Sequence, residues 1–321
     1  MNLGGIHHVT SVSAQIGLNA AFYTRILGLR LVKKSVNQDD VSAYHLFYAD
    51  KVGSPGTDMT FFDWPSVPRE TRGTDSITLT AFRVPDEAAL YYWANRFEEY
   101  GVQHSGIEQF AGRSVIRFED REGQRLMLMD DGGADYHGTY WEEPGIPEPV
   151  AIRGFYASMI SVPRLEHVEP ILTQVLNMRE SARHPYPDGR EVILYDIGEG
   201  GPNRELWVME ERNIQRARPG AGGTHHVAFR VKDFDEQQYW HNRVSSVGLP
   251  ISGFVDRYYF KSIYFRISNG ILFEIATDGP GFATDEDLET LGERLALPPF
   301  LEDRREEIEA QLKPIVMPET V

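Results

Sequence analysis

The chain has 321 residues, 41% apolar and 25% charged, long enough for two domains with large cores and unlike a disordered, fibrous or membrane-spanning chain. With 32 basic and 48 acidic residues its formal charge is −16, which repels phosphate backbones and anionic lipid and argues against nucleic-acid or membrane partners. There is no cysteine, which excludes disulfides, thiol nucleophiles and thiolate-bound zinc or iron–sulfur clusters, so any metal must be held by nitrogen and oxygen.

In chain order, Met1–Gly5 leads into Ile6–His7–His8–Val9–Thr10 with neither a basic region nor an apolar stretch of signal length, and a cytoplasmic protein is expected. Ile6–Ser13 reads as a strand, followed by an amphipathic helix near Leu18–Leu27 and a closing strand at Met59–Pro65. The same order recurs from Ile77–Val84 through a helix over Glu87–Tyr100 to Arg125–Gly132. It recurs again from Phe155–Val162 through a helix over Leu165–Leu176 to Glu205–Glu211. A fourth pass runs from His225–Val231 through a helix over Phe234–Val247 to Ile271–Gly279. The Pro-rich Tyr140–Val150 reads as a linker, and Asp285–Leu295 and Arg304–Leu312 as two charged helices of a packing arm or lid. The expected organisation is an N-terminal half over 1–140 (units at about 5–66 and 75–133), a linker over 141–152, a C-terminal half over 153–282 (units at about 153–212 and 222–282), and a helical tail over 283–321.

The units align with one another. Ala81–Phe82–Arg83–Val84 repeats as Ala228–Phe229–Arg230–Val231, and Met127–Gly132 and Met59–Pro65 lie over the run that begins at Glu274. A strand–helix–three-strand unit leaves one face of a curved sheet bare; two units cover it by forming an open barrel with helices outside. The expected fold is therefore α+β, four βαβββ modules in two open mixed β-barrels.

Two His-His dipeptides, His7–His8 and His225–His226, stand at equivalent points of the first and fourth units. Strand alternation would send one imidazole of each pair to the concave face. Glu274 lies in an otherwise apolar strand, where a lone carboxylate is costly without a cation; its counterparts are taken as Met59, Met127 and Leu206 or Trp207. Two imidazoles and a carboxylate can form a facial triad for a divalent ion with open positions, iron(II) first, zinc or manganese as other occupants. To share one ion, His8 and His226 must lie in one barrel, so modules 1 and 4 should pair.

The chain with these motifs resembles the vicinal oxygen chelate superfamily with its glyoxalase-like fold. Within it, His7–Thr10, Thr224–Phe229, Asp256–Arg257 with Tyr259–Arg266, and Leu272–Asp278 are similar to the ring-cleaving hydroquinone 1,2-dioxygenases. The similarity includes the tail around Leu297–Glu302. A Pro-Gly turn is expected where Ile267–Ser268–Asn269–Gly270 stands, although Asn-Gly also turns tightly. The resemblance implies iron(II) held by His8, His226 and Glu274, with His7, Thr10, His225, Arg257 and Tyr264 around the bound substrate. Read as residues, Arg257 could stabilise a phenolate or an anionic product, and Tyr264 could donate a hydrogen bond to bound oxygen. His7 or His225 could serve as acid or base, one of them also orienting a ligand.

His45 reads as an ordinary strand histidine, and His184 as a loop residue able to face substrate. No phosphate-binding Gly-Lys-Ser/Thr run or Gly-x-Ser-x-Gly elbow is present. The expected function is iron(II)-dependent, O2-consuming opening of a hydroquinone-type ring, with a small aromatic diol and O2 as partners and a homo-oligomer as a candidate assembly. The alternatives are an extradiol catechol dioxygenase, a glyoxalase-like isomerase with four protein ligands, and a non-catalytic resistance-type binder.

Overall fold

Each unit opens on a strand rich in β-branched and aromatic residues. Those of the first and third units, Ile6–Ser13 (β1) and Phe155–Val162, are buried along their whole length, as strands covered on both faces must be. The computed structural model describes residues 1–142, 145–186, 188–267 and 270–319. The first unit continues through Ile16–Ala21 (α1), a π-helical turn at Phe22–Ile26, and strands Arg30–Asn37 (β2), Asp40–Ala49 (β3) and Asp58–Asp63 (β4). The second comprises Ser76–Val84 (β5), Glu87–Glu99 (α2), His104–Phe110 (β6), Arg113–Glu119 (β7) and Arg125–Asp130 (β8). The third holds β9 (Phe155–Val162), Arg179–Pro185 (β10), Glu191–Asp196 (β11) and Glu205–Glu210 (β12). The fourth holds Thr224–Val231 (β13), Phe234–Ser246 (α3), Val255–Asp256 (β14), Lys261–Ile267 (β15) and Ile271–Thr277 (β16).

The strands form two eight-stranded mixed sheets, ordered β14-β15-β16-β13-β1-β4-β3-β2 and β10-β11-β12-β9-β5-β8-β7-β6. The first is built wholly from units one and four, the second from units two and three, the pairing that a shared triad requires. At the centre of the first sheet β1 runs antiparallel to β13, with β4 parallel to β1 and β16 parallel to β13. Helices α2 and α3 start on matching caps: Asp86 accepts from Ala89 N–H and Asp233 from Glu236 N–H. Glu236 also reaches back past the cap, its carboxylate accepting from the Lys232 N–H at 3.0 Å. The helices cover the convex faces in one core containing Phe22, Tyr23, Trp93, Phe97 and Trp240. Each of these large side chains contributes about 2–3 kcal/mol on burial.

Two helical expectations are corrected. Over Leu165–Leu176 the chain makes only a 3-10 turn at Leu165–His167 and a π-helical turn at Ile171–Val175. Pro170 lacks an N–H and its ring opposes the carbonyl four residues back, so a continuous α-helix cannot cross it. Asp285–Leu295 is also not an α-helix; it holds one 3-10 turn at Leu288–Thr290. The tail's helices are the short Pro299–Glu302 (α4) and Arg305–Gln311 (α5).

The tail packs. Phe282 and Leu291 close over Val32, Ala49 and Ala276 inside the first barrel, and Leu297, Leu301 and Ile308 seat on Val36. Buried Lys33 pairs with Asp285 at 2.8 Å and with Glu286. Gly292, at φ +78°, passes so close to β2 that a Cβ would lie 1.9 Å from the Leu31 carbonyl oxygen. The turn expected at Ser268–Asn269 and the linker positions Glu143 and Pro144 lie outside the described residues. Among the described residues no helix is long and apolar enough to cross a membrane.

Candidate metal centre

Strand alternation fails at both His-His pairs, and the failure builds the site. Between β1 and β13 the register skips His7 on one strand and His225 on the other, so each is the extra residue of a β-bulge. A bulge breaks the two-residue period and lets neighbours share a face. The expectation of one inward imidazole per pair is thereby corrected to two. His7 Nδ1 lies 2.9 Å from His8 Nδ1, and His225 Nδ1 lies 2.8 Å from His226 Nδ1. The second sheet has matching bulges at Thr78 on β5 and Tyr156 on β9, a device common to all four units that carries imidazoles only in the first barrel.

The two inner nitrogens, His8 Nε2 and His226 Nε2, are 3.3 Å apart. Glu274 Oε2 lies 3.3 Å from the first and 2.9 Å from the second. All three residues are buried. Glu274 Oε1 accepts a hydrogen bond from Ser262 Oγ at 2.5 Å, whereas Oε2 accepts none from the described residues. Three lone-pair-bearing atoms facing one another, one of them an orphaned carboxylate oxygen, repel unless a cation lies among them. Their separations suit ligand bonds of about 2.1 Å at near-right angles, and the N2O donor set suits a divalent ion of the iron, manganese or zinc kind.

Electrostatics prepare the same state. Burial would raise the Glu274 carboxyl, but the flanking His8 and His226 imidazoles outweigh it and hold it well below the usual range. Burial, partly opposed by Glu274, keeps the His226 imidazole below its ordinary value. An anionic carboxylate with neutral imidazoles is the metal-binding protonation state. With Nε2 turned to a cation, His8 and His226 would each carry the ring proton on Nδ1 and donate it to the neighbouring His7 and His225 Nδ1. Burial keeps those neighbours neutral acceptors, lowering His7 strongly and His225 to about 3. Each bulge thus sets a candidate ligand beside a ring that could orient it.

The triad forms part of the wall of a cavity of ≈380 Å³ lined wholly by units one and four, with Phe47, Phe62, Trp64, Tyr259 and Phe260 among its aromatic surfaces. Its size fits a single-ring ligand. His225, Arg257 and Tyr264 line it; His7 does not, lying instead against His8 and Phe260. Thr10 is likewise off the wall and accepts a hydrogen bond from Thr60 at 2.8 Å. Arg257 Nε donates to the Tyr264 hydroxyl at 3.1 Å, and Arg257 Nη2 to Asp39 at 2.9 Å. With Gln38 Nε2 donating to the Arg257 carbonyl at 2.9 Å, the Asn37–Asp40 turn bridges the seam between edge strands β2 and β14.

Three further expectations are corrected. The counterpart of Glu274 in the first unit is Thr60, since the parallel registers end at Val231↔Thr277 and Ser13↔Asp63; Met59 faces the helix side. His184 sits on β10 of the other sheet. His45 lines the cavity rather than serving as a plain strand residue. Sequence reading missed Ser262, Thr60 and the Gln38–Asp39 turn, whose places depend on strand register. In the second barrel the positions of His8, His226, Glu274 and Thr60 are filled by Ala157, Leu79, Met127 and Trp207, all apolar and buried.

The curled double sheet with a His/His/Glu cluster in one barrel defines a class. The family model described as the glyoxalase/bleomycin resistance protein/dioxygenase superfamily matches residues 5–128 and 157–279, and the chain belongs to that superfamily. Within it the chain falls in the ring-cleaving dioxygenase family. It is 48% identical to "Putative ring-cleaving dioxygenase MhqA" of Bacillus subtilis over 98% of this chain and 100% of that protein. It is 29% identical to the chlorohydroquinone/hydroquinone 1,2-dioxygenase of Sphingobium indicum, covering 95% of this chain and 94% of that one. A crystal structure described as a "putative dioxygenase from Bacillus subtilis" superposes with a TM-score of 0.89 at 33% identity, covering 99% of both chains.

Proposed function

We propose that this chain holds iron(II) through His8 Nε2, His226 Nε2 and Glu274 Oε2 and uses O2 to open the ring of a hydroquinone-type substrate in the adjoining cavity. The observation that carries this reading is the convergence of three buried ligand atoms, one without any hydrogen-bond donor, on the wall of an aromatic cavity sized for one ring. The names of the relatives agree with it.

Bound iron(II) supplies open coordination positions and a redox couple linking an electron-rich ring to oxygen. Three protein ligands with one carboxylate leave a net positive site, which favours a ring hydroxyl as its anion. The flanking aromatic rings exclude water and hold the substrate ring flat. His225 accepts from His226 at Nδ1 and therefore carries its own proton on Nε2, on a ring that lines the cavity; it is the group placed to donate a hydrogen bond to a substrate oxygen. Tyr264, 6.0 Å from His226 between ring centroids, and Arg257 put a hydroxyl and a cation where negative charge grows as the ring opens to an acid. Both oxygen atoms of O2 enter the product, and the broken bond joins the hydroxyl-bearing carbon to its neighbour. An isomerase with four protein ligands lacks support, because the fourth position is Thr60, engaged with Thr10 and His45.

The test is anaerobic loading with iron(II) followed by oxygen-electrode traces on hydroquinones and catechols. Oxygen uptake matching hydroquinone loss is expected. Faster uptake with catechols would reassign the enzyme to extradiol cleavage. Silence with every diol, alongside metal-dependent turnover of a hemithioacetal without oxygen, would make it an isomerase.

A further inference from the structure

His45 on β3 is the one cavity-lining imidazole to which the mechanism above assigns nothing. Its ring is held between Phe47 and Phe62, with centroids 3.9 and 4.4 Å away. Its Nε2 lies 2.9 Å from Thr60 Oγ1, and Thr60 in turn donates to Thr10 Oγ1. A hydroxyl has one proton to give, and we assign that of Thr60 to Thr10 Oγ1. Thr60 therefore meets His45 as an acceptor, and His45 Nε2 carries the proton. Burial, reinforced by the nearby His8 and His226, keeps the ring neutral. Nδ1 is then a free acceptor, and no described residue donates to it. Only β4 separates β3 from β1, so this acceptor stands about 10 Å from the strand bearing His8 at the usual ~4.8 Å strand spacing.

We infer that His45 Nδ1 accepts a hydrogen bond from the ring hydroxyl that does not reach the metal triad, making His45 the residue that selects a para over an ortho diol. The inference rests on the ring-cleaving reading above. An ortho diol carries both oxygens at one end of the ring, so once they face the triad only ring C–H reaches the far wall. A para diol sets its second O–H at the far end, where a neutral imidazole acceptor, unable to tilt between two aromatic rings, completes the pair. A methyl ether at that end has no proton to donate and leaves the acceptor unsatisfied.

The experiment is anaerobic calorimetry of iron(II)-loaded protein with hydroquinone, 4-methoxyphenol and catechol, using wild type, His45→Phe and His45→Asn. Asparagine can place its amide oxygen where Nδ1 lies. Wild type and His45→Asn are expected to prefer hydroquinone over 4-methoxyphenol by roughly tenfold, and His45→Phe to bind the two within about twofold with catechol unchanged. An undiminished preference in His45→Phe, or its loss in both variants, would overturn the assignment, the second by tracing the preference to packing. Wild-type oxygen uptake separates the two levels. If no diol is consumed, the ring-cleaving reading fails; if hydroquinone is consumed while His45→Phe keeps its preference, only the role of His45 fails.

Discussion

The two carboxylate oxygens of Glu274 have different partners, and the difference can be measured. Oε1 is tied to Ser262 Oγ, which fixes the plane of the carboxylate; Oε2 is left for the cation. Glu274→Ala is expected to abolish stoichiometric iron(II) binding with secondary structure intact, read by metal analysis and circular dichroism. Ser262→Ala removes only the orienting bond and is expected to weaken iron(II) or manganese(II) affinity by about 10–100-fold without lowering the melting temperature. Equal affinity in Ser262→Ala would show that the carboxylate needs no such support. Glu274 was visible in the sequence because an acid interrupts an apolar strand. Ser262 was not, because a serine on an exposed-looking strand carries no signal until β15 pairs with β16 in the register Ser262↔Ala276.

At the scale of elements, the repeated strand–helix pattern located helices in the second and fourth units and failed in the third, where proline intervenes. The helices expected over Glu87–Tyr100 and Phe234–Val247 form as α2 and α3, and the structure adds their caps, Asp86 and Asp233; the third unit's segment, with Pro170 inside its apolar pattern, is not a helix. Asp233→Ala removes the acceptor of the Glu236 N–H. It is expected to lower unfolding free energy by about 1 kcal/mol in urea titration, with iron affinity unchanged because α3 lies on the convex face. No change in the urea midpoint would deny the cap its role. The bulges at His7 and His225 were illegible for a different reason: a bulge exists only between two strands, and one strand's sequence does not reveal where its partner skips.

Across the whole molecule, the two barrels share one plan but differ in what they bury. The second keeps a hydrophobic interior, and at its edge Glu205, bonded to Trp207 Nε1 at 2.7 Å, is pushed by burial up to about 7. In the unfolded chain that carboxyl gives up its proton near pH 4.5; in the fold it keeps it until about pH 7. The native state thus holds the extra proton between those values. Its contribution to stability is complete below pH 4.5 and lost as pH rises to 7, by on the order of 3 kcal/mol. Glu205→Gln, which preserves the bond to Trp207, should flatten this part of the melting-temperature profile relative to wild type. Parallel profiles would show that Glu205 ionises freely in the fold.

The four-fold repeat, the α+β class and the identity of the three candidate ligands were written in local order, because apolar periodicity, matching dipeptides and one misplaced acid are properties of neighbouring residues. The demand that units one and four meet followed from those ligands alone. What required the folded chain was everything that depends on which strands lie side by side: the bulges that turn four imidazoles inward, the Ser262 bond, Thr60 in place of Met59, His45 on the cavity wall, and the tail as a plug. Those features are set by which strands pair and in what register, across separations from 12 residues at Ser262 and Glu274 to 218 at His8 and His226, and pairing between two strands has no signature in either one alone.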